Sequence, residues 1–311
     1  MSQALLFLLI LFGALLLGAA LSPFEALGWW AGWYGRSRNE RSRPVLPPSE
    51  SAPKAERFIV FLTGIHSVSG ETFARREIRL LDGLREHLPD SLVTEVFPYS
   101  VTNQALTGQR FFAWFWRLAL KLKLSRVAFA GFVINMRNVF QVAVSADARY
   151  GPLYNQGTAE AIYDELLRKG FGPSAGPVVL IGYSGGGQIA VGAASYLREL
   201  TNAPVTVVSL GGIMCSDPGI LACERVYHLV GERDRVERLG HLLFPGRWPL
   251  LPYSSWNLAK TEGKLEFISL GQVDHTGKAG YLDSKHMLAN GKSNFEQTLD
   301  VLIELLRSIK T

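Results

Sequence analysis

The stretch PVVLIGYSGGGQIA, residues 177–190, carries a short apolar run into a serine set among glycines. Pro177 to Ile181 is brief and rich in β-branched residues, the pattern of a buried strand. Gln188 to Leu200 (QIAVGAASYLREL) has helix length and a small-residue face. The pattern therefore predicts a strand-to-helix turn with Ser184 at its tip. A serine on so tight a turn adopts a sparsely populated backbone conformation, and Gly182 and Gly186 lack the Cβ atoms that would hold strand and helix apart. The plainer alternative is a glycine-rich turn whose serine only caps the helix.

Residues 182–186 fit G-x-S-x-G, and small residues follow at Ala190, Gly192, Ala193 and Ala194. In that context the stretch resembles the nucleophile elbow of the α/β-hydrolase superfamily, among its serine esterases and lipases. The resemblance implies a mostly parallel central sheet flanked by helices, over about residues 57–310. It also implies a catalytic order of Ser, then Asp or Glu, then His. Downstream lie three short apolar runs that each end in glycine: VTVVSLGG from Val205, RVYHLVG from Arg225 and LEFISLG from Leu265. Asp234 stands three residues beyond Gly231, where the family's acid loop would place it, and His275 stands four beyond Gly271. Both fall at carboxyl ends of expected strands, the edge on which ligand sites of open α/β sheets collect. Glu232 is the alternative acid and His286 the alternative base, while Asp274 reads as a loop carboxylate.

An oxyanion needs fixed backbone N–H donors. One would be Gly185, just after the serine. By resemblance the other is Ile65, after the strand RFIVFLTG (57–64), with His66 the second choice. In the commoner family pattern a histidine precedes the glycine, whereas here Thr63 precedes Gly64. No metal or organic cofactor is implied.

The chain has 311 residues, enough for one α/β unit with an N-terminal appendage. Ala4 to Leu21 carries no charge, and at about 1.5 Å per residue it reaches across a hydrocarbon core. Pro23 and Glu25 end it; Trp29, Trp30, Trp33 and Tyr34 then form an aromatic cluster suited to a membrane interface. Residues 1–35 are thus expected to form a transmembrane anchor with its interface segment. A cleaved signal peptide competes with this reading, but the positively charged leading region is missing. Arg36, Arg38, Arg41 and Arg43 follow the apolar run and predict a single-pass protein whose catalytic domain stays on the cytoplasmic side. Residues 36–56, rich in Pro, Ser and charge, read as a flexible tether to a domain at 57–311. The net charge of +5 is modest and partly juxtamembrane, which favours an anionic membrane surface over nucleic acid. Cys215 and Cys223, the only cysteines, read as free thiols, and their spacing suggests no metal.

Between an expected strand at Leu92–Ser100 and an expected helix at Gly157–Gly170 lies an inserted segment, about 101–150. It sets Phe111, Phe112, Trp114, Phe115 and Trp116 beside Arg117, Lys121 and Lys123, a mixture suited to an interfacial helix, to a lid or to a helix packed on the sheet. The resulting expectation is a membrane-anchored, bacterial-type serine hydrolase. Ser184, His275 and Asp234 would cleave an ester, lipid or lipid-like, through an acyl-enzyme. Thioester cleavage and acyl transfer remain alternatives, as does a non-catalytic, membrane-held binding or scaffold module on the same fold.

Overall fold

The computed structural model describes residues 3–33, 57–88, 91–108, 113–124, 128–172 and 175–309. The expected tether and the aromatic residues Tyr34, Phe111 and Phe112 lie outside them. Two helices, α1 (Gln3–Leu21) and α2 (Pro23–Trp30), come first, followed by β1 (Phe58–Leu62), α3 (Arg75–His87) and β2 (Ser91–Val93). A helical segment comprises α4 (Ala113–Leu124), α5 (Ala128–Ala146) and α6 (Gly151–Arg168). The chain then alternates: β3 (Val178–Tyr183), α7 (Gly185–Thr201), β4 (Val205–Leu210), α8 (Gly219–Ala222), β5 (Arg225–Val230) and α9 (Arg235–Leu243). Last come α10 (Ser255–Thr261), β6 (Leu265–Ser269) and α11 (Asn294–Ser308).

The six strands form one sheet in the order β2-β1-β3-β4-β5-β6, and every pairing is parallel. A parallel sheet must be covered on both faces, so its strands read as unbroken apolar runs. In β1, Phe58, Val60 and Leu62 join one core cluster with residues of α6 and α7, whereas Ile59 and Phe61 join another with Leu80 and Leu84 of α3 and Leu302 and Leu306 of α11. This is the period-2 alternation of strand side chains applied to a three-layer structure. Strand order reverses between β1 and β3, which opens a crevice at their carboxyl ends.

The expected strand at 92–100 shrinks to the three residues of β2. Beyond it the Thr94 amide turns to the Glu95 side chain and the Phe97 amide to Asn103 Oδ1, so side chains displace the ladder. In the inserted segment, α4 presents two faces. Trp116 and Leu120 pack against the core, while Trp114 (67% exposed) and Leu118 face outward, each pair spaced by one turn.

The N-terminal helices join the domain more closely than an anchor followed by a tether would. Trp29 is buried against Gly157 of α6, and Glu25 pairs with Arg137 of α5 at 2.5 Å. Trp29 therefore leaves the expected interfacial cluster, because its ring fills a gap that only a glycine on α6 leaves open; Trp30 and Trp33 remain exposed. The expected anchor is helical over the 19 residues of α1, although several of its side chains, Phe7 and Leu8 among them, lie outside the described residues. Among the described residues no helix is long and apolar enough to cross a membrane, so a spanning role for α1 has only its uncharged sequence in its favour.

Candidate active site

Ser184 follows β3 directly and precedes the first residue of α7, with φ +54° and ψ −120°. A non-glycine residue there is strained, and such strain persists only where the surroundings over-determine it. The surroundings here are the two glycines. A Cβ on Gly182 would stand 2.5 Å from the Gly186 carbonyl oxygen, and one on Gly186 would collide with the Leu62 carbonyl of β1. The helix starts three residues earlier than its apolar pattern suggests, at Gly185 instead of Gln188, so that its first turn begins directly after the serine. The first N–H groups of a helix have no partner within it.

The Ser184 Oγ lies 2.8 Å from His275 Nε2, and His275 Nδ1 lies 2.8 Å from Asp234 Oδ2. Three residues spread over 91 positions of the chain are thus joined, each from a loop at the carboxyl edge of β3, β5 or β6. Asp234 is also the N-cap of α9; its Oδ1 accepts from the amides of Val236 and Glu237, both at 2.9 Å. Burial alone would raise this carboxyl. The hydrogen bond and charge of His275, the Glu237 amide and the Tyr281 hydroxyl outweigh it and hold Asp234 below its usual range. The imidazole lies stacked on Tyr183 and edge-on to Tyr281. Such an arrangement can take the serine proton at Nε2 while a fixed anion at Nδ1 holds the tautomer.

Around Gly185, a Cβ would stand 2.8 Å from Ile65 Cγ2, 2.9 Å from Val142 Cγ2 and 3.1 Å from the Tyr99 hydroxyl. The two expected oxyanion donors therefore belong to adjoining segments. The loop carrying Ile65 is held from two directions. From α5, the buried Asn138 Nδ2 donates to the carbonyls of Ile65 (2.7 Å) and Ser67 (2.8 Å). From α3, the buried Glu77 accepts from Thr63 Oγ1 at 2.7 Å, from the Ala74 amide at 3.0 Å and from His66 Nε2 at 2.9 Å. Burial would raise the Glu77 carboxyl, but His66, Thr63 and the Ala74 amide together bring it below its usual value.

The alternatives weighed in the sequence lie elsewhere. Glu232 accepts from the Ser269 hydroxyl and from Gln272, and Asp274 sits 3.7 Å from Arg233 Nε. His286 offers its carbonyl to the Asn294 amide beyond the loop, and His66 is engaged by Glu77. Cys215 and Cys223 are both unpaired. Sequence reading missed Asn138, Glu77 and Tyr281. The one signal available was a carboxylate at the third position of a helix, where Glu77 satisfies the Ala74 amide as a capping residue. The chain matches no protein-family model, and neither a curated protein nor a solved structure matches it.

Proposed function

We propose that the chain is a serine hydrolase of the α/β-hydrolase type, tethered to a membrane by α1 with its domain on the cytoplasmic side, that cleaves a carboxylic ester. The observation that carries this reading is the continuous hydrogen-bonded line from Ser184 Oγ through His275 to Asp234, with the serine on a positive-φ elbow. In the proposed reaction Ser184 Oγ attacks the carbonyl carbon and its proton passes to His275 Nε2. The carbonyl oxygen gains the charge and faces the amides of Gly185 and Ile65. As the intermediate collapses, His275 returns the proton to the leaving alcohol. Water, giving its proton to His275 Nε2, then attacks the acyl-enzyme carbonyl. The bond from the acyl carbon to Ser184 Oγ breaks, His275 returns the proton to Ser184, and the carboxylic acid leaves. Asp234 stays ionised and stabilises the imidazolium.

A lipid or lipid-like ester is favoured by the apolar surface of the helices that precede β3. The uncharged α1 is continuous with α2, which packs on the domain, and α4 exposes Trp114 and Leu118. Such apolar surface suits a substrate delivered from a bilayer. The test is turnover of p-nitrophenyl esters of increasing acyl length by the detergent-solubilised full chain. Activity that rises with acyl length and is lost in Ser184→Ala is the expected result. A folded protein inert to every ester, or a Ser184→Ala variant as active as the parent, would overturn the proposal.

A further inference from the structure

Tyr281 lies beyond β6, and neither the elbow motif nor the Ser-Asp-His order assigns it a role. Its residue is fully buried, and its hydroxyl stands 2.8 Å from the Gly231 amide and 2.7 Å from Asp234 Oδ2. The direction of both bonds follows from their chemistry. An amide N–H only donates, so the phenol oxygen accepts from Gly231; an ionised carboxylate only accepts, so the phenol proton points at Asp234. The same oxygen, Oδ2, accepts from His275 Nδ1, while Oδ1 holds the two amides of α9. Asp234 thus carries four hydrogen bonds, about the lone-pair capacity of a carboxylate. The phenol competes with the imidazole for one oxygen.

The fold makes room for this contact. Gly211, at the end of β4, has φ +57°, and a Cβ there would stand 2.5 Å from Tyr281 Cε2. Thr298 of α11 holds the Tyr281 carbonyl at 2.9 Å. Other neighbouring ionisable groups are engaged by partners other than Asp234 Oδ2. The Glu237 carboxylate is bound to His228 and Arg247, Arg233 faces Asp274, and the Tyr183 hydroxyl meets the His275 carbonyl at 3.3 Å.

We infer that Tyr281 is a positioning residue which, by sharing Asp234 Oδ2 with the imidazole, sets how tightly His275 holds the proton it takes from Ser184. The inference rests on the hydrolase reading of these three residues. Each donor on Oδ2 draws off part of the charge that stabilises the imidazolium. Removing the phenol donor leaves more of that charge to His275, which becomes the stronger base.

The measurement is the rate of inactivation by a fluorophosphonate across pH in the full-length protein. Ser184 Oγ forms a bond to phosphorus as the P–F bond breaks, fluoride departs, and the serine proton passes to His275. The rate therefore needs neutral imidazole, and the acid limb of its pH profile has a midpoint that can be compared between variants. Tyr281→Phe is expected to raise that midpoint by roughly half a unit or more. Replacing Tyr281 by 3-fluorotyrosine, a more acidic phenol of nearly the same shape, is expected to lower it. A folded Tyr281→Phe protein with the parent midpoint would overturn the inference. Should Tyr281→Phe fail to fold, an unmoved midpoint in the fluorotyrosine protein would do the same. A parent protein that never labels, or a Ser184→Ala variant that labels as fast, would remove the hydrolase reading itself.

Discussion

Behind Asp234 a second buried network supports the helix that holds it. Glu237 of α9 accepts from Arg247 at 2.6 Å and meets His228 Nε2 at 3.1 Å, and the guanidinium lies 4.1 Å over the Trp256 ring. Burial would raise the Glu237 carboxyl, but His228 and Arg247 outweigh it and bring it down to about 2 from 4.5. A carboxyl depressed on folding contributes stability above its unfolded value and loses it as pH falls through the folded one. Urea-unfolding stability should therefore drop between about pH 4.5 and 2 on account of Glu237. His228, buried and lowered from 6.5, starts a fall earlier, because the unfolded chain takes up a proton that the folded chain refuses. Glu237→Gln leaves a buried guanidinium without its anion and should cost about 3–5 kcal/mol at neutral pH, read from the same urea curves. None of this was legible in the sequence, where Glu237 and Arg247 look like solvated charges in ERDRVERLG and PGRW. Ser184, Asp234 and His275 were legible as positions, because each follows a glycine-ended apolar run. Tyr281 was not, since its contact depends on Gly211, seventy residues away in the chain.

At the scale of elements, α5 stands between the N-terminal helices and the crevice. Its Arg137 pairs with Glu25 of α2 and donates to the Tyr99 carbonyl; its Asn138 holds the Ile65 loop; its Val142 lies beside Gly185. Trp29→Ala should then cost about 3–5 kcal/mol, as expected for a buried aromatic lost from a packed core, and thermal unfolding would register it. A chain starting near Ser51 loses Trp29, Ala26 and Glu25 together, so it should be poorly folded and label slowly. If that chain melts like the full-length protein, α2 is not part of the fold's support. The strands of the sheet could be read in advance because a buried parallel strand is apolar along its length. The burial of α2 could not, because GWWAGW reads equally well as an interfacial belt, and only Gly157 decides which ring turns inward.

In the whole molecule, six parallel strands bring loops from opposite ends of the sequence to one edge, and the strand-order reversal between β1 and β3 places the crevice beside the elbow. The mostly parallel sheet was expected from the resemblance carried by the elbow at residues 182–186, whereas the strand order depended on connections the sequence does not mark. The proposed membrane attachment and the proposed reaction can be tested separately at this scale. A chain starting at Ser22 keeps α2 while losing α1; it should leave the membrane fraction on sedimentation and still react with a fluorophosphonate. Persistence of that chain in the membrane after a high-salt wash would move the anchor elsewhere. The most direct test of the account as a whole is peptide mass spectrometry of the full-length protein after fluorophosphonate treatment. One adduct on Ser184, absent after heat unfolding and slowed by orders of magnitude in His275→Ala, is the expected result. A folded protein whose Ser184 stays unmodified, or one whose labelling is indifferent to His275, would contradict it.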